Sequence, residues 1–259
     1  MLKTLSSFAG LRTTAAALCL MAGAASAQDA FDPATMSDAQ RAAFGEAVRA
    51  YLMENPEVIM EAVAVLEERQ QNAAAAADDQ LVQDHYEALV NDGYSWVGGN
   101  PDGDVTVIEF MDYRCGYCRK AQPEVEELIA SDGNIRLIIK EFPILGDASL
   151  ISAKFAIATQ IVAGDEAYKQ VHDALIALEG NPGKGPLTRL ADTLGLDVDA
   201  IMAEMDSDEV LRRIADTRQL AQAMQINGTP SFVFGDQMVR GYAPLPAMQQ
   251  IVAQERAAE

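Results

Sequence analysis

Two cysteines three positions apart, Cys115 and Cys118, stand between a β-rich run and a helical run. Residues 104–111 carry Val105, Val107, Ile108 and Phe110 and read as a strand. Residues 118–130 read as a helix with Pro123 inside it, where a kink is expected. A dithiol at a strand-to-helix turn puts its first sulfur at a helix start. The unpaired N–H groups and the dipole there favour negative charge on Cys115, which makes it the expected nucleophile. Cys118, within the first turn, is expected to be more buried and to resolve the mixed disulfide. Gly116 and Tyr117 between them would tune the site and shape the surface that meets a substrate.

Further along, residues 135–142 read as a second strong strand. Residues 146 to about 225 are helical by pattern, punctuated at Gly164, at Gly180-Asn181-Pro182-Gly183 and at Gly195. Residues 232–234 and 238–240 form an expected hairpin across Gly235-Asp236, and residues 244–259 a closing helix. Gly228-Thr229-Pro230 directly precedes the first strand of that hairpin. A cis Thr229–Pro230 bond would present the backbone of Thr229 beside the cysteines, where an extended substrate could pair with it.

Residues 1–27 read as a cleaved export signal: Lys3 and Arg12, an apolar run over residues 15–22, then Ala25-Ser26-Ala27. The expected location is the periplasm. Without the signal, Cys115 and Cys118 are the only cysteines, and one close pair in an oxidising compartment points to chemistry rather than a scaffold of staples. A structural disulfide here would close too short a loop to constrain the unfolded chain much. Zinc needs four ligands, and His85 and His172 are both far from the motif in sequence, so no metal and no cofactor is expected. Met202 and Met205, three apart, read as core packing. The net charge of −20, two more negative without Lys3 and Arg12, argues against nucleic acid and anionic membrane as partners.

Between signal and main domain lies a helical arm. Ser37 and Gln40 have capping-box spacing. Phe44, Val48, Tyr51 and Leu52 share one helical face, and Asn55-Pro56 restarts the pattern with Asn55 as N-cap. Ile59, Ala62, Val63 and Leu66 continue the apolar stripe, which fades into Gln70-Gln71-Asn72 and an alanine run, a semi-rigid connector. The stripe can pack on the main domain or pair with copies of itself, and the flat polarity of residues 70–80 favours the second.

The runs Val107-Ile108-Glu109-Phe110-Met111-Asp112-Tyr113-Arg114-Cys115-Gly116-Tyr117-Cys118-Arg119, Lys140-Glu141-Phe142-Pro143-Ile144-Leu145 and Gly228-Thr229-Pro230-Ser231-Phe232 together resemble the thioredoxin superfamily. The resemblance is to its DsbA-like branch, in particular the suppressor-of-copper-sensitivity C and Com1-like proteins, and covers about residues 93–259. It implies an α/β thioredoxin fold over residues 91–259, with a helical insertion at about 146–226, preceded by an arm and linker at 28–90. It implies a thiol–disulfide oxidoreductase acting on cysteine-containing client proteins, recharged by a membrane redox partner and homo-oligomeric through the arm. Gly-Tyr between the cysteines and Thr before the proline depart from the oxidase pattern of Pro-His and Val. They are similar to the periplasmic disulfide isomerases, which favours isomerase or reductase chemistry. A dithiol oxidase, and a copper-binding or holdase protein, stay open. Glu109, in an otherwise apolar strand, is expected beneath the cysteines as a proton partner of Cys118, a role the resemblance supports, with Lys140 as a candidate partner for that carboxylate.

Overall fold

The computed structural model describes residues 35–258, and the expected signal at 1–27 lies outside them. The chain divides into two compact units, with the division after Ala62. In the first, α1 (Asp38–Glu54) begins at the capping box read from the sequence: the Ser37 hydroxyl accepts from Gln40 N–H and the Gln40 side chain accepts from Ser37 N–H. Asn55 differs from expectation. It ends α1, and its side-chain amide donates back to Tyr51 O instead of capping α2 (Glu57–Asp84).

The second unit is built on a five-stranded sheet of β1 (Trp96–Gly99), β2 (Val105–Met111), β3 (Ile135–Glu141), β4 (Ser231–Phe234) and β5 (Gln237–Arg240), in the order β1-β3-β2-β4-β5. β2 and β3 run parallel, with Glu109 opposite Ile139 and Met111 opposite Glu141, and the other pairings are antiparallel. Helices fill the remainder: α3 (Tyr86–Val90), α4 (Gly116–Asp132), α5 (Asp147–Ala177), α6 (Lys184–Thr193), α7 (Val198–Glu204), α8 (Asp208–Ala223) and α9 (Leu245–Ala258). The helical insertion is thus α5 to α8, and its first helix kinks at Gly164, whose φ of +84° only glycine adopts without strain.

Side chains alternate across a strand, so the central strands feed two cores. Val105, Val107, Met111, Leu137, Ile139, Phe232 and Phe234 join α4, α5 and α9 in the larger cluster. Ile108, Phe110, Ile138, Phe142 and Val233 point the other way, into a smaller cluster with Val82, Leu89 and Val90 and with Leu220, Ala221 and Met224. The chain before β1, read from sequence as arm and linker, therefore contributes three side chains to the core. The stretch at 70–80, expected to stand clear, is helical and is tied down at Asp78 by an ion pair with Arg240 on β5. Met202 and Met205 pack against the larger cluster.

The same alternation corrects the expected role of Lys140. Lys140 sits opposite Phe110, one step out of phase with Glu109, and so lies on the other face of the sheet. Its ammonium donates to Asp92 Oδ2 at 2.6 Å and Ala88 O at 3.0 Å, and none of its contacts reaches Glu109. Burial alone would raise Asp92, but Lys140 and the Ser95 hydrogen bonds outweigh it and hold its carboxyl below the usual value. Removing one partner of a buried pair strands the other charge, at a cost of roughly 3 kcal/mol. Lys140→Met is expected to lower urea stability by about that amount while leaving disulfide exchange rates unchanged. A variant that folds normally but exchanges slowly would return Lys140 to the redox site.

Candidate active site

Cys115 is the N-cap of α4, in extended conformation, and Cys118 lies in the first turn. Both thiols are free, so the structure is that of the dithiol. The loop that presents them is held from three sides. Asp112 accepts from Arg114 N–H with one oxygen and from Ile144 and Leu145 N–H with the other. Arg119 donates to Tyr113 O and Leu178 O, and Arg114 also donates to Leu178 O, which fixes the motif against the end of α5.

The Thr229–Pro230 bond is cis. Cys115 Sγ donates to Thr229 O at 3.1 Å, so the expected juxtaposition of cysteine and threonine backbone is present. Pro230 O in turn accepts from Gly241 N–H, anchoring the loop to the end of β5. Cys115 is 7% exposed, less than an open thiolate would be, and Cys118 is 1% exposed. Tyr117 is the exposed member of the motif at 62%, its ring 6.1 Å from that of Tyr242. Gly116 has open space around its α-carbon. Ile144 and Leu145, held by Asp112, are also exposed.

Cys118 is pushed well above the ordinary thiol value, first by burial and then by the charge of Glu109. The Thr229 hydroxyl, buried and without another hydrogen-bond partner among the described residues, lies against Cys118 and offsets a little of this. Glu109 is 2% exposed. Burial, with the neighbouring Glu141 second, raises its carboxyl from 4.5 to about 8. It lines a cavity of about 170 Å³ beneath α4, together with Gln122, Val125, Leu137, Lys169 and His172. A buried carboxyl that ionises near neutral pH can, in its ionised form, take the proton of the buried thiol beside it and so become neutral.

Sequence reasoning passed over the groups around it. Glu141 is buried on the same face as Glu109, two steps along the neighbouring strand from Glu109's partner Ile139. Its Oε1 accepts from Tyr113 and Tyr168 hydroxyls at 2.6 Å each. Tyr113 also meets His172 Nδ1 at 3.1 Å, and burial pushes His172 down to about 3, so its ring is neutral. The available signal for Glu141 was the one used for Glu109, a carboxylate in an apolar strand. His172 gave none, because the contact spans 59 residues. Among the described residues no cluster of His, Cys, Asp or Glu is arranged to hold a metal ion, and no helix is long and apolar enough to cross a membrane.

The fold and the site together define a thioredoxin-like protein with a dithiol at a helix start. A family model for the DSBA-like thioredoxin domain matches residues 106–253, more than half of the chain, and the chain belongs to that family. A second model, the copper resistance protein ScsC N-terminal domain, matches residues 40–73. A thioredoxin-like oxidoreductase from Silicibacter pomeroyi DSS-3 is 40% identical, covering 67% of this chain and 98% of its own, with a TM-score of 0.62. BcfH of Salmonella enterica Typhimurium is 29% identical over 84% of this chain and 96% of its own, with a TM-score of 0.69. Among curated proteins, the Na(+)/H(+) antiporter NhaA 3 of Salinispora tropica is 29% identical over 60% of this chain. The chain spans about a quarter of the length of that relative, 24%.

Glu109 leaves a signature in stability. Between 4.5 and about 8 the folded protein holds a proton that the unfolded chain has lost, so stability from this group falls as pH rises through that window. Glu141, also raised to about 8, acts in the same sense, and His172 acts oppositely below its ordinary value. The wild-type minus variant difference reports Glu109 together with the change its loss makes in Glu141. In urea titrations across pH, Glu109→Gln is expected to flatten the decline by up to about 1.4 kcal/mol per pH unit. Parallel curves would place an ionised Glu109 in the fold.

Proposed function

We propose that this protein is a periplasmic thiol–disulfide oxidoreductase that acts on the disulfides of client proteins through Cys115 and Cys118. The observation that carries this reading is the placement of Cys115 Sγ on the helix N-cap against the carbonyl of Thr229. The Cys115 thiolate attacks one sulfur of a client disulfide. A Cys115–client bond forms, the client S–S bond breaks, and the other client sulfur leaves as a thiolate. Cys118, its proton taken by ionised Glu109, then attacks Cys115 Sγ; the Cys115–Cys118 bond forms, the Cys115–client bond breaks, and the client sulfur leaves as a thiolate. The reverse sequence oxidises a client dithiol. An extended client segment pairs with the Thr229 backbone before Pro230, over Gly116 and the exposed Tyr117.

Isomerase or reductase chemistry is the favoured direction, on the Gly116-Tyr117 pair and on Thr229, and it requires a membrane reductase to keep the dithiol reduced. The arm supports the same direction. Val48, Tyr51 and Ile59 in the first unit are 40–56% exposed, apolar side chains suited to pairing with further copies. Several Cys115 thiolates around one client suit reshuffling better than a single oxidation.

Cys115→Ser is expected to abolish reduction of insulin, and Cys118→Ser to accumulate mixed disulfides with clients. Full insulin reduction by Cys115→Ser would overturn the assignment. Deleting residues 28–80 is expected to yield a monomer by light scattering that still reduces insulin but no longer rescues a scrambled client. If the mature protein is itself a monomer at tens of micromolar, the arm does not self-associate and the dithiol oxidase becomes the better reading.

A further inference from the structure

Two carboxyls lie buried on one face of the central sheet, and the reaction above uses one. Glu109 and Glu141 sit on adjacent parallel strands, in the diagonal relation that the pairing of Glu109 with Ile139 and of Met111 with Glu141 creates. They are 2% and 7% exposed. Two such groups cannot ionise independently, because each charge opposes the other in a medium that screens poorly.

The surroundings divide the two. Among the described residues none donates to the Glu109 side chain, whereas Glu141 Oε1 receives two phenol hydroxyls at 2.6 Å, the length of an O–H donor on a carboxylate. The Tyr113 hydroxyl lies 2.6 Å from Glu141 Oε1 and 3.1 Å from His172 Nδ1, and its proton goes to the nearer, carboxylate oxygen. Neutral His172 carries one ring proton, so it donates from Nδ1 or from Nε2 but not from both. Gln122 turns its Oε1 to His172 Nε2 at 3.3 Å, because its N–H groups are held by Glu126 and Asp173. Against this, Glu141 Oε2 is buried without a partner, which restrains full ionisation.

The charged and titratable groups around Glu141 come from every element packed on it. Glu109, Asp112 and Tyr113 come from β2 and the loop after it, and Tyr168 and His172 from α5, with Lys169 acting on His172. Tyr94 before β1 and Arg213 on α8 line the small cavity that Glu141 shares. Of these, Tyr113 joins Glu141 to the redox loop by a hydrogen bond, two residues before Cys115.

We infer that Glu141 is a positioning residue of the redox site, which takes the first negative charge of the buried pair through Tyr113 and Tyr168 and so keeps Glu109 protonated until higher pH. Its consequence is a site in which Glu109 is neutral beneath Cys118 at low pH and becomes a proton acceptor only in its ionised form, over a pH range that Glu141 sets. This inference rests on the reading of Glu109 as the proton acceptor of Cys118.

The test follows the resolving step in the full mature protein. Mixing the dithiol with 5,5′-dithiobis(2-nitrobenzoate) releases one aromatic thiolate when Cys115 attacks. A second is released when Cys118 attacks Cys115 Sγ, as the Cys115–aryl disulfide breaks and the proton passes to Glu109. The rate of the second phase is recorded from pH 5 to 10. For the wild type the profile is expected to bend at the pH where Glu109 ionises. In Glu109→Gln the bend should vanish, leaving a rate that climbs with hydroxide. In Glu141→Gln, and in Tyr113→Phe, which decides the matter where the first fails to fold, the bend should move down by about one pH unit or more. If Glu109→Gln removes the bend while Glu141→Gln and Tyr113→Phe stay on the wild-type curve or move up, Glu141 does not position the site and the inference falls alone. If Glu109→Gln keeps the wild-type bend, Glu109 is not the acceptor and both readings fall.

Discussion

The parallel pairing of β2 with β3, buried on both faces, is the constraint on which the rest depends. With a side-chain period of two and both faces covered, every buried polar residue in these strands is committed to one face or the other. Glu109 and Glu141 go to the α4 side, under the cysteines, and Lys140 to the α3 side, against Asp92. A one-residue slip would exchange them and put an ammonium beneath the thiols. The chemistry of the site is therefore decided by strand register before any contact in the active-site loop is made.

Around that register the chain arranges charge by two opposite routes. Lys140 and Asp92 are buried as a paired, hydrogen-bonded ion pair, reinforced by Ser95 and by the Ala88 carbonyl. Among the described residues Glu109 is given no cation partner and no hydrogen-bond donor. It avoids the cost of a buried charge by holding its proton. The first arrangement is structural. The second makes a group that exchanges a proton under the conditions in which a thiol–disulfide enzyme works.

Much of this was legible in the chain. The CxxC at a strand-to-helix turn, the Thr229–Pro230 step before a hairpin and the glycine-punctuated helical insertion fixed the architecture, because each is a local signal with one geometric meaning. The face of Lys140 was not legible, since it required the register between β2 and β3 rather than either strand alone. The small exposure of Cys115 was also hidden, because it is covered by a carbonyl 114 residues away. Val82, Leu89 and Val90 read as part of an arm because their partners lie on the far face of a sheet formed later in the chain.

The central claim is that Cys115, at the helix N-cap against Thr229, is the attacking thiol and Cys118 is held back beneath it. Limited alkylation of the reduced mature protein with iodoacetamide at pH 7, followed by mass mapping of the modified peptides, tests it most directly. The account predicts that label enters Cys115 first and that Cys118 is modified only after unfolding. Label appearing on Cys118 first, or on both at equal rates in the folded protein, would contradict it.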